Sequence, residues 1–256
     1  MPLKPFAYVV VFLLVLSGSA STSAPSGDSF DAPLKKKVVD FGPSPWAQGY
    51  RIRLFCFFYP AFAVKVYDQG QKGASWHAIM PIPQGVAPAC ERSHAPGERV
   101  IDGNEWGGYL RGVKGSFVFI DDADGRDGGM PFAIFDAATG KKVFEDDAYD
   151  SKFVSRGIGA GPFNRMRVRR EAEGQVSLKY LRVVAVDCDL YREKTACWQQ
   201  VREKLGLSSA RMPACSGYKG LPTRWPSAVA YPVEVTLLPQ PAIKTIPGPV
   251  RCWPVD

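Results

Sequence analysis

The stretch YRIRLFCFFYPAFAVKVYD, residues 50–68, alternates large apolar side chains with polar or smaller ones on both sides of a Tyr-Pro-Ala turn. In its first half, Ile52 and Leu54 fall on one face of an extended chain, while Arg51 and Arg53 fall on the other. A period of two is typical of a strand that buries one face, and two such runs across a short turn are typical of a hairpin. The stretch therefore predicts a β-hairpin at the start of the folded domain.

The rest of the chain repeats this pattern, with one exception. Further alternating runs include SWHAIMPI, GSFVFID, MPFAIFD, KKVFED, QVSLKYLRVVAVD and VAYPVEVTLL. In the last run, Pro232 cannot donate to a ladder, so an edge strand is predicted there. Residues 195–205 instead place Trp198, Val201 and Leu205 at helical spacing. The prediction is a mainly β fold, an antiparallel β-sandwich or barrel-like meander, with one short α-helix at about 195–205.

The beginning of the chain has the layout of a secretory signal peptide. A lone lysine precedes an unbroken apolar run of eleven residues, and small residues follow. The predicted signal peptide covers residues 1–20, with cleavage after Ala20 or Ala24. A flexible leader over 21–49 and a single β-rich domain over 50–256 are predicted to follow it. These features predict a secreted or periplasmic protein with no transmembrane segment in the mature chain, because the apolar run is shorter than the roughly 20 residues that a span requires.

Six cysteines indicate a disulfide-stabilised fold, because their number is even and export exposes them to an oxidising compartment. A zinc site is disfavoured, since the chain has only two histidines and no Cys-x-x-Cys. Although fifteen pairings are open from sequence, the preferred pairs are Cys56–Cys90, Cys188–Cys252 and Cys197–Cys215.

The stretch FIDDADGRDGG, residues 119–129, is a candidate cation-binding loop. It fails as an EF-hand, because Arg126 occupies the fifth position, where a ligand is required. In a meander, however, the loop would lie at the same end of the sheet as the Glu145-Asp146 stretch. Ca²⁺ takes 6–8 oxygen ligands, and Ca²⁺ is the only cofactor that this sequence suggests. The predicted ligands are Asp122, Asp124, Asp127, Glu145 and Asp146.

Alternatively, arginines of the chain itself neutralise these carboxylates. The run RMRVRR puts Arg165, Arg167 and Arg169 on one face of a strand. If that strand pairs with KKVFED, its arginines reach the acidic end without any metal. Asp and Gly are also ordinary turn residues, so the loop need not bind anything.

Two aromatic residues are candidates for a ligand-binding platform. Trp106 and Tyr109 lie among glycines in NEWGGYLRG, and glycines can leave neighbouring rings exposed. The alternative is burial, since aromatic side chains contribute heavily to β cores.

No catalytic motif is recognisable: the chain has no Gly-x-Ser-x-Gly elbow, and neither histidine lies near a serine nucleophile motif. The net charge of +7 is scattered rather than gathered with aromatics, so nucleic acid is not expected as a partner. The sequence favours an exported, non-enzymatic binding or accessory protein that acts on an envelope or extracellular ligand. The alternatives are a secreted hydrolase that uses the acidic loops on glycan or ester substrates, and an inhibitor or structural envelope protein.

Overall fold

The computed structural model describes residues 29–82, 88–149, 166–171, 174–209, 211–221 and 224–255. The predicted signal peptide and both predicted cleavage sites lie outside the described residues, and so does Arg165. Within those ranges the chain is mainly β, and all of its strand pairings between named strands are antiparallel. The predicted fold class is therefore confirmed.

A five-stranded sheet comes first in the chain, with its strands side by side in chain order. Its strands are β1 (Lys35–Pro43), β2 (Arg51–Phe58), β3 (Phe62–Asp68), β4 (Trp76–Pro81) and β5 (Arg99–Asp102). The predicted hairpin is formed by β2 and β3. The strand β1 falls inside the segment predicted as a flexible leader, which is a correction. It is an edge strand with most of its side chains exposed on both faces, so it carries no alternating apolar pattern for sequence analysis to detect.

A nine-stranded sheet follows. Its strands are β6 (Tyr109–Lys114), β7 (Phe117–Asp121), β8 (Gly129–Asp136), β9 (Lys142–Tyr149), β10 (Arg167–Arg170), β11 (Val176–Val186), β12 (Ser227–Thr236), β13 (Ala242–Thr245) and β14 (Arg251–Pro254). The order is β13-β12-β11-β9-β8-β7-β6, with β10 beside β11 and β14 beside β12. The strand β11, apolar on both sides near its end, lies in the middle of the sheet.

The two sheets pack face to face over a shared apolar core. Val64 and Ile79 of the five-stranded sheet belong to the same cluster as Val118, Ile120 and Phe135 of the nine-stranded sheet. The opposite face of the nine-stranded sheet is covered by the helix α3 (Thr195–Leu205), which buries Cys197, Trp198 and Val201. Two one-turn helices, α1 (Gly103–Trp106) and α2 (Leu190–Glu193), were not predicted. The arrangement is a sandwich with one covering helix.

Three disulfides connect the six cysteines. The structure joins Cys56 to Cys90, as preferred from the sequence. The predicted Cys188–Cys252 and Cys197–Cys215 pairs are wrong, because the structure joins Cys188 to Cys197 and Cys215 to Cys252. The reason is the path of the chain. Cys188 follows β11 and meets the first turn of α3, while residue 215 runs parallel to β14, which carries Cys252.

Candidate functional site

The acidic loop and the acidic strand lie at the same end of the β7-β8-β9 meander, as the topology predicted. Arg126 of the loop contacts Asp147 of β9, with 2.9 Å between Nη2 and Oδ2. On β9, however, Glu145 is opposite Ala133 and Asp146 is opposite Phe132. Because neighbouring side chains of a strand point to opposite faces, these two carboxylates lie on different sides of the sheet.

Among the described side chains, three of the predicted ligands form ion pairs, each with a different basic residue. Lys72 pairs with Asp124, Lys142 with Glu145 at 2.7 Å, and Arg182 with Asp146 at 2.9 Å. In the part of the chain that the structure describes, no group of three or more acidic, histidine or cysteine side chains is arranged to hold a metal ion. The predicted set Asp122, Asp124, Asp127, Glu145 and Asp146 is therefore not brought together, and this is a correction.

The neutralising arginines also differ from the predicted ones. The strand β10 carries Arg167 and Arg169 and pairs with β11 rather than with β9. It therefore does not bring its arginines alongside the acidic end of β9 through strand pairing. The loop and β9 are neutralised by basic residues from several separate elements instead, a pattern without a local sequence signature.

Asp146 is the most enclosed of these carboxylates. It accepts hydrogen bonds from the Tyr180 hydroxyl and from Nε of Arg182. Burial raises the pKa of Asp146, although Tyr180 and Arg182 act in the opposite direction. Burial also raises the pKa of Tyr180 well above its ordinary value, with a further contribution from Asp146. Asp146, Tyr180 and Arg182 form a hydrogen-bonded network on the sheet face that α3 covers. Their polar groups therefore already have partners within the protein.

The predicted aromatic platform is not formed by both rings. Trp106 is only 8% exposed, belongs to the core between the sheets, and donates from Nε1 to the Ile120 carbonyl at 3.0 Å. The prediction is therefore wrong for Trp106, because α1 turns its side chain inward. Tyr109 is 49% exposed, but its hydroxyl accepts a hydrogen bond from the Gly73 amide at 2.9 Å.

A concavity of ligand size lies at one end of the sandwich, where the space between the sheets opens to solvent. This end cleft has a volume of about 870 Å³, which is within the range of small-molecule sites, roughly 300–1,000 Å³. Most of its lining surface is apolar. Its principal lining residues are Leu34, Tyr59, Phe62, Arg99, Ala137 and Arg170.

The floor of the end cleft is built by turns from both sheets. Tyr59 and Phe62 flank the β2–β3 turn, which is closed by a hydrogen bond from the Tyr59 amide to the Phe62 carbonyl at 2.8 Å. Their rings stack with centroids 5.4 Å apart. From the facing sheet, Ala137 is held by a hydrogen bond from its amide to the Ser116 carbonyl. All three floor residues belong to the inter-sheet core, so the cleft is an exposed extension of that core.

Two arginines give the end cleft its charge. Arg170 pairs with Asp31 at 3.0 Å, and Lys114 reaches the same carboxylate at 3.2 Å. Arg99 differs, because no carboxylate within the described residues lies within ion-pair distance of it. Its side chain packs on Gly140, which leaves room for it, and within the described residues its guanidinium makes one hydrogen bond, a long one of 3.4 Å to the Ala137 carbonyl.

The surroundings of two polar groups of the end cleft determine their protonation states. Partial burial acts to raise the pKa of Asp31, but the Gly115 amide and the Lys114 ammonium outweigh it and leave this pKa below its ordinary value. Asp31 is thus an ionised carboxylate with two cationic neighbours. Burial and the Asp31 charge raise the pKa of Tyr59 to about 12, so its hydroxyl is a neutral donor. The described residues offer it no hydrogen-bond partner.

Sequence analysis missed this site. The Tyr-Pro-Ala segment was interpreted only as a turn, and Arg99 stood among scattered basic residues. The cleft combines residues from positions 31 to 174, and no local motif connects them.

No protein-family model matches the chain, and no curated protein or solved structure shows significant similarity to it. Among the described residues, no helix is long and apolar enough to cross a membrane.

Proposed function

We propose that this chain is an exported, non-enzymatic binding protein whose ligand site is the end cleft. The ligand is a small amphipathic molecule with an apolar body and one anionic group. The observation that carries this proposal is the position of Arg99, a cation without a carboxylate partner in the described structure, at the edge of an apolar cleft. The three disulfides support the export part of the proposal, because disulfides persist in oxidising compartments.

The apolar rings of the cleft and its polar groups would bind different parts of the ligand. The rings of Tyr59 and Phe62 would cover an aliphatic or aromatic body, which leaves water when it binds. Arg99 would donate two hydrogen bonds to a carboxylate or phosphate, since a guanidinium matches the geometry of both groups. The Tyr59 hydroxyl would supply a further donor.

The test uses dodecanoate and dodecanol, which share their apolar chain and differ in charge. Each displaces a fluorescent fatty-acid probe from the purified protein, and the competition yields a Kd. We expect dodecanoate to bind more tightly than dodecanol. Arg99→Gln should weaken dodecanoate binding about tenfold or more, as expected for a lost charged hydrogen bond, and leave dodecanol unchanged.

Two further variants complete the design. Leu34→Ser removes an exposed apolar wall residue of the cleft and should weaken both ligands alike. Arg224→Gln is the matched control, because Arg224 is exposed and does not line the cleft; it should bind both ligands normally. Probe binding that is not saturable, or an Arg99→Gln protein with unchanged dodecanoate affinity, would overturn the proposal.

A further inference from the structure

Exposed apolar side chains are concentrated at the start of the domain. Of the eleven large hydrophobic side chains that are exposed in the described structure, five fall within residues 34–50: Leu34, Val38, Phe41, Trp46 and Tyr50. Trp46 and Tyr50 are each 63% exposed, whereas large aromatics are usually well buried. Scattered exposed residues need no explanation, but a concentration of aromatics on one hairpin does.

The hairpin presents these side chains on an ordered scaffold. In the β1–β2 loop, the Ser44 amide donates to the Tyr50 carbonyl at 2.9 Å, and the Ser44 hydroxyl donates to the Gln69 carbonyl. Phe41 lies against Tyr67 on the outer side of the five-stranded sheet, with ring centroids 6.2 Å apart. The aromatic side chains are therefore held outward by fixed backbone.

The same hairpin is basic. Lys35 and Lys37 are opposite Phe58 and Cys56 of β2, two residues of the cluster on the outer side of the sheet. Alternation therefore places both lysines on the side that carries Phe41. Neither lysine has an ion-pair partner within the described chain. The one acidic residue of β1, Asp40, pairs with Arg51, so positive charge dominates the hairpin.

We propose that the edge hairpin surface, formed by Lys35, Lys37, Phe41, Trp46 and Tyr50, docks on an anionic lipid surface. Tryptophan and tyrosine favour the headgroup level of a bilayer, where one end of the ring is apolar and the other is wet. Lysines add attraction to anionic headgroups. Lysines on an edge strand also prevent unwanted strand pairing, but that role does not account for the exposed Trp46 and Tyr50.

The test is flotation of the purified full chain with two kinds of vesicle. One is phosphatidylcholine alone, and the other contains equal parts of phosphatidylcholine and phosphatidylglycerol. The apolar run near the start of the chain would favour both vesicles alike, so the readout is the difference between them. We expect more binding to the anionic vesicles than to the neutral ones, and loss of that difference in high salt, because the attraction is screened.

Variants locate the contact. Lys35→Gln with Lys37→Gln should lower the partition onto anionic vesicles about 25-fold, from roughly fivefold per lysine at an anionic surface. Trp46→Ser with Tyr50→Ser should lower it as well. All of these side chains are exposed, so folding should be retained, as circular dichroism would verify.

A matched control removes equivalent groups elsewhere. Lys204→Gln with Lys219→Gln, and separately Tyr191→Ser, change exposed side chains outside the hairpin and should bind anionic vesicles normally. Equal binding to both vesicles, or an equal loss in the control variants, would overturn the proposal. Binding of neutral oligosaccharides through Trp46 and Tyr50, with no vesicle binding, would assign the surface to glycans and would overturn it too.

Discussion

Acid should weaken this fold through a single buried histidine. His77 lies on β4 between Val66 of β3 and Ile101 of β5, and it is fully buried. Neither ring nitrogen has a hydrogen-bond partner of ordinary geometry in the described structure. Burial lowers the pKa of His77 from 6.5 to about 4, although the Trp106 backbone acts slightly in the other direction.

The direction of the effect follows from linkage. Because the folded pKa of His77 lies below the unfolded one, the unfolded chain binds its proton first as the pH falls, and stability declines between pH 6.5 and 4. With these two pKa values, the free energy of unfolding at pH 5 is lower by about 2 kcal/mol than at pH 7.5. For a chain of this size that corresponds to a decrease of about 4–8 °C in Tm.

Other groups act outside this window or with the opposite sign. The carboxyl of Asp40 pairs with Arg51, which holds its pKa at about 2, so its stabilisation is lost only at lower pH. The raised pKa of Asp146, a consequence of burial, makes its contribution change in the opposite direction, since protonation of a buried carboxyl favours the folded state. The contribution of His77 is therefore measured as a difference between variants.

The assay is urea unfolding at pH 7.5 and pH 5 for the unmutated chain and for His77→Leu. Leucine is similar in size and suits the apolar neighbours, and it cannot titrate. We expect the decrease in the free energy of unfolding from pH 7.5 to pH 5 to be about 2 kcal/mol smaller in His77→Leu than in the unmutated chain. His77→Gln serves if the leucine variant misfolds, and His94→Gln, which changes an exposed histidine near Glu98, should retain the loss. A His77→Leu protein that loses as much stability as the unmutated chain would refute the reasoning.

Two further predictions concern the disulfides and the acidic loop. Replacing the cysteines of the Cys188–Cys197 bridge by serines should lower the free energy of unfolding in denaturant by about 2.5 kcal/mol, against about 4 kcal/mol for the Cys215–Cys252 bridge. The first cost is smaller because the Cys188–Cys197 bridge closes a shorter loop; equal costs would contradict this. Melting with calcium or with excess chelator should give the same Tm, since Asp124 and Asp147 have cationic partners. Asp122→Asn with Asp124→Asn should change stability by at most about 1 kcal/mol. A Tm that falls on chelation only in the unmutated chain would restore the calcium hypothesis.

Periodicity was a sufficient guide to the strands that bury one face and to α3, which ends at Gly206, a glycine in the left-handed conformation. It failed for β1, because an edge strand exposed on both faces has no period to detect. It also misplaced the strand β12. Pro232 suggested a sheet edge, yet the outer side of β12 carries two short strands, β14 over residues 227–230 and β13 over residues 233–236. Pro232 lies between them, where no ladder donor is required.

The sites were less accessible to sequence analysis than the fold. The acidic loop attracted attention because its residues are neighbours in the chain, but Lys72 and Arg182, which neutralise parts of the acidic region, come from distant segments. The end cleft presents the reverse case. Neither Tyr59 nor Arg99 belongs to a recognisable motif in its own segment, and the cleft that they line forms only when the two sheets pack together. Long-range proximity of this kind cannot be derived from one chain's composition and spacing.

The end cleft and the edge hairpin surface adjoin at one point and are otherwise separate. Leu34 lines the cleft and precedes Lys35, while Arg99 lies across the sheet on β5, and Trp46 lies in the loop at the far end of β1. Loss of lysines should therefore affect vesicle binding without changing the affinity for soluble dodecanoate, and loss of Arg99 should do the opposite. If both hold, the two sites bind their ligands independently, although they adjoin at Leu34.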